Sequence, residues 1–149
     1  MRRALLGIMA VVVGVGSTAA LALTDDPIST RRKLMQANGA VFYGAAQGMI
    51  KGEIPFNPVL AAAVIRTNNA VAYSFGDYFP PGSDKGDTRA SPKIWDEMEE
   101  FQRYLAEFRA ATDAARQADP KTLEAFQASM TEVNRTCQQC HDEFRLADN

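Results

Sequence analysis

Metal-binding side chains are scarce in this chain. Its 149 residues include one histidine, two cysteines and one tryptophan. A structural zinc site needs about four ligands, usually from two separated pairs, and no second pair is present. Basic stretches interleaved with aromatics are missing, which removes nucleic acid as a partner. Strand-like alternation is missing as well, so a sheet-based fold has nothing to build on. Internal repeats, low-complexity runs and second-domain linkers are also absent.

What the chain has of soft and imidazole ligands, it has in one place. Both cysteines and the only histidine fall in Cys137-Gln138-Gln139-Cys140-His141. Cys-x-x-Cys-His is the attachment signal for c-type haem: two thiols add across the vinyl groups, and the adjacent imidazole ligates iron. On a helix, spacings of three and four residues project all three side chains from one face. One porphyrin meets them all. A thioredoxin-like dithiol is expected near a βαβ pattern, and no strand precedes this one. A disulfide across two intervening residues of a regular helix is disfavoured by geometry.

Residues 1–22 have the form of a signal peptide. Arg2 and Arg3 form the charged start, Ala4 to Val15 the apolar stretch, and Ala20-Leu21-Ala22 a small-x-small cleavage site. The apolar run falls short of the ~20 residues of a spanning helix. Cleavage after Ala22 leaves residues 23–149, or 149 − 22 = 127 residues, enough for one domain with its own core. The formal charge of 16 − 18 = −2 becomes 14 − 18 = −4 without the two arginines. An exported protein whose thiols are consumed by haem belongs in the periplasm.

The remainder repeats one punctuation mark, a capping residue followed by proline: Asp26-Pro27, Asn57-Pro58, Ser91-Pro92 and Asp119-Pro120. The cap accepts a hydrogen bond from an orphan amide of the first turn, and proline at the next position loses no intrahelical bond. Four such marks predict four helices, approximately 27–50, 58–76, 92–117 and 120–146. Three-four apolar spacing supports them: Arg31, Met35, Asn38, Phe42, Ala45, Met49 in the first; Leu60, Val64, Thr67, Val71, Phe75 in the second. The third shows Ile94, Met98, Phe101, Leu105, Phe108, Thr112, Ala115, and the fourth Leu123, Phe126, Met130, Val133, Cys137, Cys140, Phe144. Such stripes predict an all-α, antiparallel four-helix bundle with the haem inside it, near the C-terminal end of the fourth helix.

A haem motif at the C-terminal end of an all-helical chain resembles the class II c-type cytochromes, the cytochrome c prime family. The resemblance rests on Arg31-x-x-x-Met35, the Lys51-Gly52-x-x-Pro55-Phe56 turn, the Gly86-Asp87 to Ile94-Trp95 stretch, and Cys137-x-x-Cys-His141 followed by Arg145. It implies a covalent haem c on Cys137 and Cys140 with His141 as proximal iron ligand. It also places Arg145 and Asp87 at the haem. Arg31, a charge on a core stripe, needs a partner, and a haem propionate would supply one.

Function turns on the sixth iron position. In an up-down-up-down bundle the start of helix one and the end of helix four share an end. Met35 lies about 13 Å along helix one from Asp26, a level that matches His141. Met49 and Met130 are about 21 and 16 Å out of reach. Met98 survives on level alone. The resemblance separates the two: in its low-spin subgroup the position four residues after the helix-one arginine is a methionine that ligates iron, and here that position is Met35. Met35 is otherwise core filler, the usual role of a stripe methionine.

His/Met ligation implies a periplasmic one-electron carrier that docks transiently on redox proteins and catalyses nothing itself. With Met35 off the iron, the expectation becomes a five-coordinate binder of nitric oxide or carbon monoxide. A peroxidase is poorly served, because no distal histidine is available for acid–base catalysis. The resemblance leaves room for a homodimer, and Gly39, Ala40, Gly44 and Gly48 would permit close helix approach.

Overall fold

The computed structural model describes residues 26–147, so the expected leader at 1–22 lies outside the described residues. Helix α1 (Pro27–Gly39), a π-helical segment (Ala40–Ala46) and α2 (Gln47–Ile50) run on as one rod. Helix α3 (Pro58–Ser74) tightens into a 3₁₀ turn, Phe75–Tyr78. A short α4 (Lys93–Asp96) precedes α5 (Met98–Ala118), and α6 (Leu123–Phe144) ends the bundle. The first rod packs on α3, α3 on α5 and α5 on α6, with α2 returning to α6. This is the expected all-α, antiparallel four-helix bundle.

Two of the start signals act as read. Asp26 accepts from the amides of Ile28 and Ser29, at 3.1 and 3.2 Å. Asn57 does the same for Val59 and Leu60, at 2.9 and 3.1 Å. Ser91 accepts from Lys93 N at 3.3 Å, but the helix it opens stops after four residues. Glu97, at φ −125°, ψ 47°, separates α4 from α5, so the third helix is not continuous from 92 to 117.

Asp119-Pro120 works in the opposite sense to the one expected. Asp119 has φ 39° and ψ 60° and closes α5 in the left-handed region, which a short polar side chain tolerates. Proline after such a residue stops a helix instead of starting one. The cap of α6 is Thr122, whose hydroxyl accepts from Ala125 N at 3.3 Å.

The π segment changes which alanine faces inward. Ala45 was the expected core position, but Ala46 is fully buried and Ala45 only partly so. Phe42, within the wider turn, and Met49, beyond it, both remain buried. Gly48 serves the bundle itself: a Cβ there would stand 2.8 Å from Ile54 Cδ1. Gly44, by contrast, faces open space.

The core is divided. The larger cluster gathers Phe42, Met49, Val64, Phe108, Phe126, Met130 and Val133, with Met35 and Cys137 against it. The smaller holds Phe79, Ile94, Phe101, Leu105 and Phe144, with Met98 and Cys140 against it. The two motif cysteines therefore pack against different halves of the interior.

Candidate functional site

Between the two clusters lies a cavity of about 470 Å³. That falls within the ~300–1,000 Å³ typical of small-molecule and cofactor sites. One wall is the inward face of α1, with Arg31, Met35, Asn38 and, in the π segment, Phe42. Another wall is the last two turns of α6, with Cys137, Cys140, His141 and Phe144. Phe101, Leu105 and Phe108 of α5 line it as well, and Asp87 to Ala90 form an edge. The sequence spacing and the bundle geometry thus bring Met35 and His141, 106 positions apart, into one cavity. Met98 does not line it; its sulfur accepts from Gln102 Nε2 at 3.8 Å, outside the cavity. Met49 and Met130 are 1 % exposed in the larger cluster.

The electrostatics of the two thiols are not those of a catalytic dithiol. Burial pushes the Cys137 thiol up to about 11. Burial, with Cys137 adding to it, pushes Cys140 up to about 12. A catalytic dithiol requires the reverse, a thiol lowered toward neutrality. The two cysteines are free of one another. Burial also lowers the His141 imidazole, helped by Arg145 and Arg89 and opposed by Asp142. A lowered value keeps the ring neutral, the form that binds a metal. Among the described residues no group of three or more His, Cys, Asp or Glu side chains could hold a bare metal ion.

Arg31 is 2 % exposed and its guanidinium faces the loop after the 3₁₀ turn. Nη1 donates to Tyr78 O and Ser83 Oγ, at 3.1 and 3.0 Å. Nη2 donates to Ser83 O and Thr88 Oγ1, at 2.6 and 2.7 Å. Nε alone lacks a partner, so it is the one donor left for a propionate. Asp87 is exposed at the cavity edge and paired with Arg32. Arg145 is exposed at the same edge, one turn beyond His141.

Two cavity residues carry more than their sequence positions announced. Asn38, on the expected stripe, is 7 % exposed and its Oδ1 has no hydrogen-bond partner. Arg89 lies in the loop, where periodicity gives no signal; it donates to Leu146 O from Nε and Nη2.

The residues present fit a haem. Two thiols, a neutral imidazole and a thioether converge on an apolar slot, and two buried polar atoms, Arg31 Nε and Asn38 Oδ1, are left unpartnered at its wall. A porphyrin would fill the gap between the clusters and complete one core.

Comparisons with known proteins agree. A family model described as Cytochrome C' matches residues 26–145. A cytochrome c' of Rhodopseudomonas palustris is 32 % identical over 135 residues, covering 90 % of each chain. A cytochrome c-556 of the same organism is 30 % identical over 137 residues, covering 87 % of this chain and 89 % of its own. The solved structure of a cytochrome c' from that organism superposes with a TM-score of 0.77 at 29 % identity, covering 83 % of this chain and 98 % of the other.

Proposed function

The chain belongs to the cytochrome c' family, whose cofactor is a covalently bound haem c, and from that premise we propose that it carries single electrons in the periplasm. In this reading Cys137 and Cys140 bond the haem, His141 is the proximal iron ligand and Met35 the distal one. One observation carries it: Met35 lines the same cavity as the three residues of the attachment motif. Overall identity does not choose between subgroups, since the two relatives above score within 2 percentage points of one another (32 − 30). The choice falls to the residue opposite His141.

When bound, the haem supplies a one-electron ferrous–ferric couple whose potential His/Met ligation raises. The chain does the rest. His141 offers a neutral nitrogen, and Met35 offers a soft sulfur from the α1 wall. Phe42, Phe101, Phe108 and Phe144 exclude water from the space between. Arg31 Nε and the exposed Arg145 and Asp87 supply polar contacts at the edge. Partners are periplasmic or membrane-bound redox proteins, met by transient docking. Residues 1–22 serve as the export signal. A homodimer is compatible with this reading, with Val59 exposed on α3.

Absorption spectra of the haem-loaded protein test the reading. A low-spin spectrum in both oxidation states, with slow or weak uptake of carbon monoxide, is the expected result. A high-spin spectrum that shifts readily with carbon monoxide would remove Met35 from the iron and make the protein a five-coordinate gas binder.

A further inference from the structure

Residues 83–91 run from one wall of the cavity to the other. At one end they are held by Arg31, one turn before Met35, through Ser83 and Thr88. Thr88 Oγ1 also accepts from Ala90 N at 3.1 Å, so the same hydroxyl fixes the segment's later part. At the other end Ser91 N donates to Phe144 O at 2.9 Å and Leu146 N to Arg89 O at 2.8 Å. Ala90 and Arg145 form the only bridge among the described residues. Arg145 N in turn donates to His141 O at 3.1 Å. A continuous chain of short contacts therefore joins the turn bearing Met35 to the turn bearing His141.

The Arg31 end of this connection is built expensively. The guanidinium is buried, its two terminal nitrogens are held by two carbonyls and two hydroxyls, and the one carboxylate acting on it, Asp26, does so without a hydrogen bond. Phe79 and Trp95 cover it, their ring centroids 4.8 and 5.5 Å from Cζ. Burying a charge among neutral partners costs free energy that an apolar plug would not. What the planar fork supplies instead is direction, several acceptors fixed at once.

We infer that Arg31 is a positioning residue for the axial ligands: it pins residues 83–91 as a strap between α1 and the end of α6, and the strap holds Met35 against the site. The inference rests on Met35 being a ligand. It assigns Arg31 a part distinct from any propionate contact, because the strap uses Nη1 and Nη2 whereas Nε is the free donor. A looser strap raises the fraction of protein with Met35 off the iron, and a competing ligand binds in proportion to that fraction.

Carbon monoxide titration of the ferrous holoprotein, with ferric and ferrous spectra, tests this on wild type, Arg31→Lys and the double variant Ser83→Ala/Thr88→Val. The double variant keeps Arg31, its charge and its Nε, so it tests the strap even where Arg31→Lys folds poorly. The expected result is carbon monoxide affinity raised about tenfold in the double variant, with a high-spin component, and at least as much in Arg31→Lys. A double variant that binds carbon monoxide like a low-spin wild type overturns the strap and leaves the ligation reading standing. A wild type that is already high-spin overturns both, and is seen before any variant is compared.

Discussion

Each cysteine of the motif touches a different half of the interior, and this fixes what its loss should do. Serine at Cys137 or Cys140 leaves a single thioether, and serine at both leaves none. We expect the double variant to yield no haem stain on a denaturing gel, the assay that retains only covalent haem, and each single variant a reduced one. A second residue-level test lies away from the haem. Asp113 accepts from Tyr73 Oη and Asn69 Nδ2 at 2.7 and 2.8 Å, and the tyrosine bond, then the asparagine bond, lowers its carboxyl. A lowered folded-state value contributes stability above the unfolded-state value, near 3.9 for Asp, and loses it as pH falls through the folded one. The melting-temperature gap between wild type and Asp113→Asn should therefore be present at pH 7 and close as the pH drops below about 4. The attachment motif was legible at this scale because the chain holds only two cysteines and one histidine; helical rise set Met49 and Met130 aside, and the family resemblance, not geometry, preferred Met35 to Met98. The Arg31 network was not legible, since its acceptors come from a loop some fifty residues away with no periodic signal.

Among the elements, the π segment is the one that sequence spacing could not reveal. A stripe read with a strict three-four alternation places Ala45 inward, and only the wider turn of Ala40–Ala46 moves Ala46 there instead. The segment adapts two registers on one rod, Arg31 and Met35 to the cavity and Ala46 and Met49 to the core. Deleting Val41 should restore regular helix and rotate the residues before it by about 100° relative to those after. The expected outcome is a protein of unchanged helix content by circular dichroism whose haem turns high-spin, because Met35 leaves the cavity wall. Boundary signals had the complementary weakness. Asp-Pro reads alike at a start and at a stop, and only the left-handed Asp119 distinguishes them. The break at Glu97 likewise carries no local mark, as Ile94 and Phe101 are both buried on either side of it.

For the whole molecule, the divided core implies that fold and cofactor are linked. The four phenylalanines that line the cavity divide between the clusters, Phe42 and Phe108 in the larger and Phe101 and Phe144 in the smaller. The haem-free Cys137→Ser/Cys140→Ser chain should melt at lower temperature and bind a hydrophobic dye that the holoprotein ignores, since the haem stabilises only the folded state. Fold class was readable from the four stripes, which need no detail beyond period; the loop that closes the cavity was not. In the proposed function Met35 and His141 hold one iron between them. Proton NMR of the reduced holoprotein tests it most directly, because a methionine held over a low-spin ferrous haem has its methyl resonance driven far upfield by the ring current. One such resonance is expected in wild type and none in Met35→Leu. A wild type without it, or a Met35→Leu protein that keeps it, would contradict the assignment.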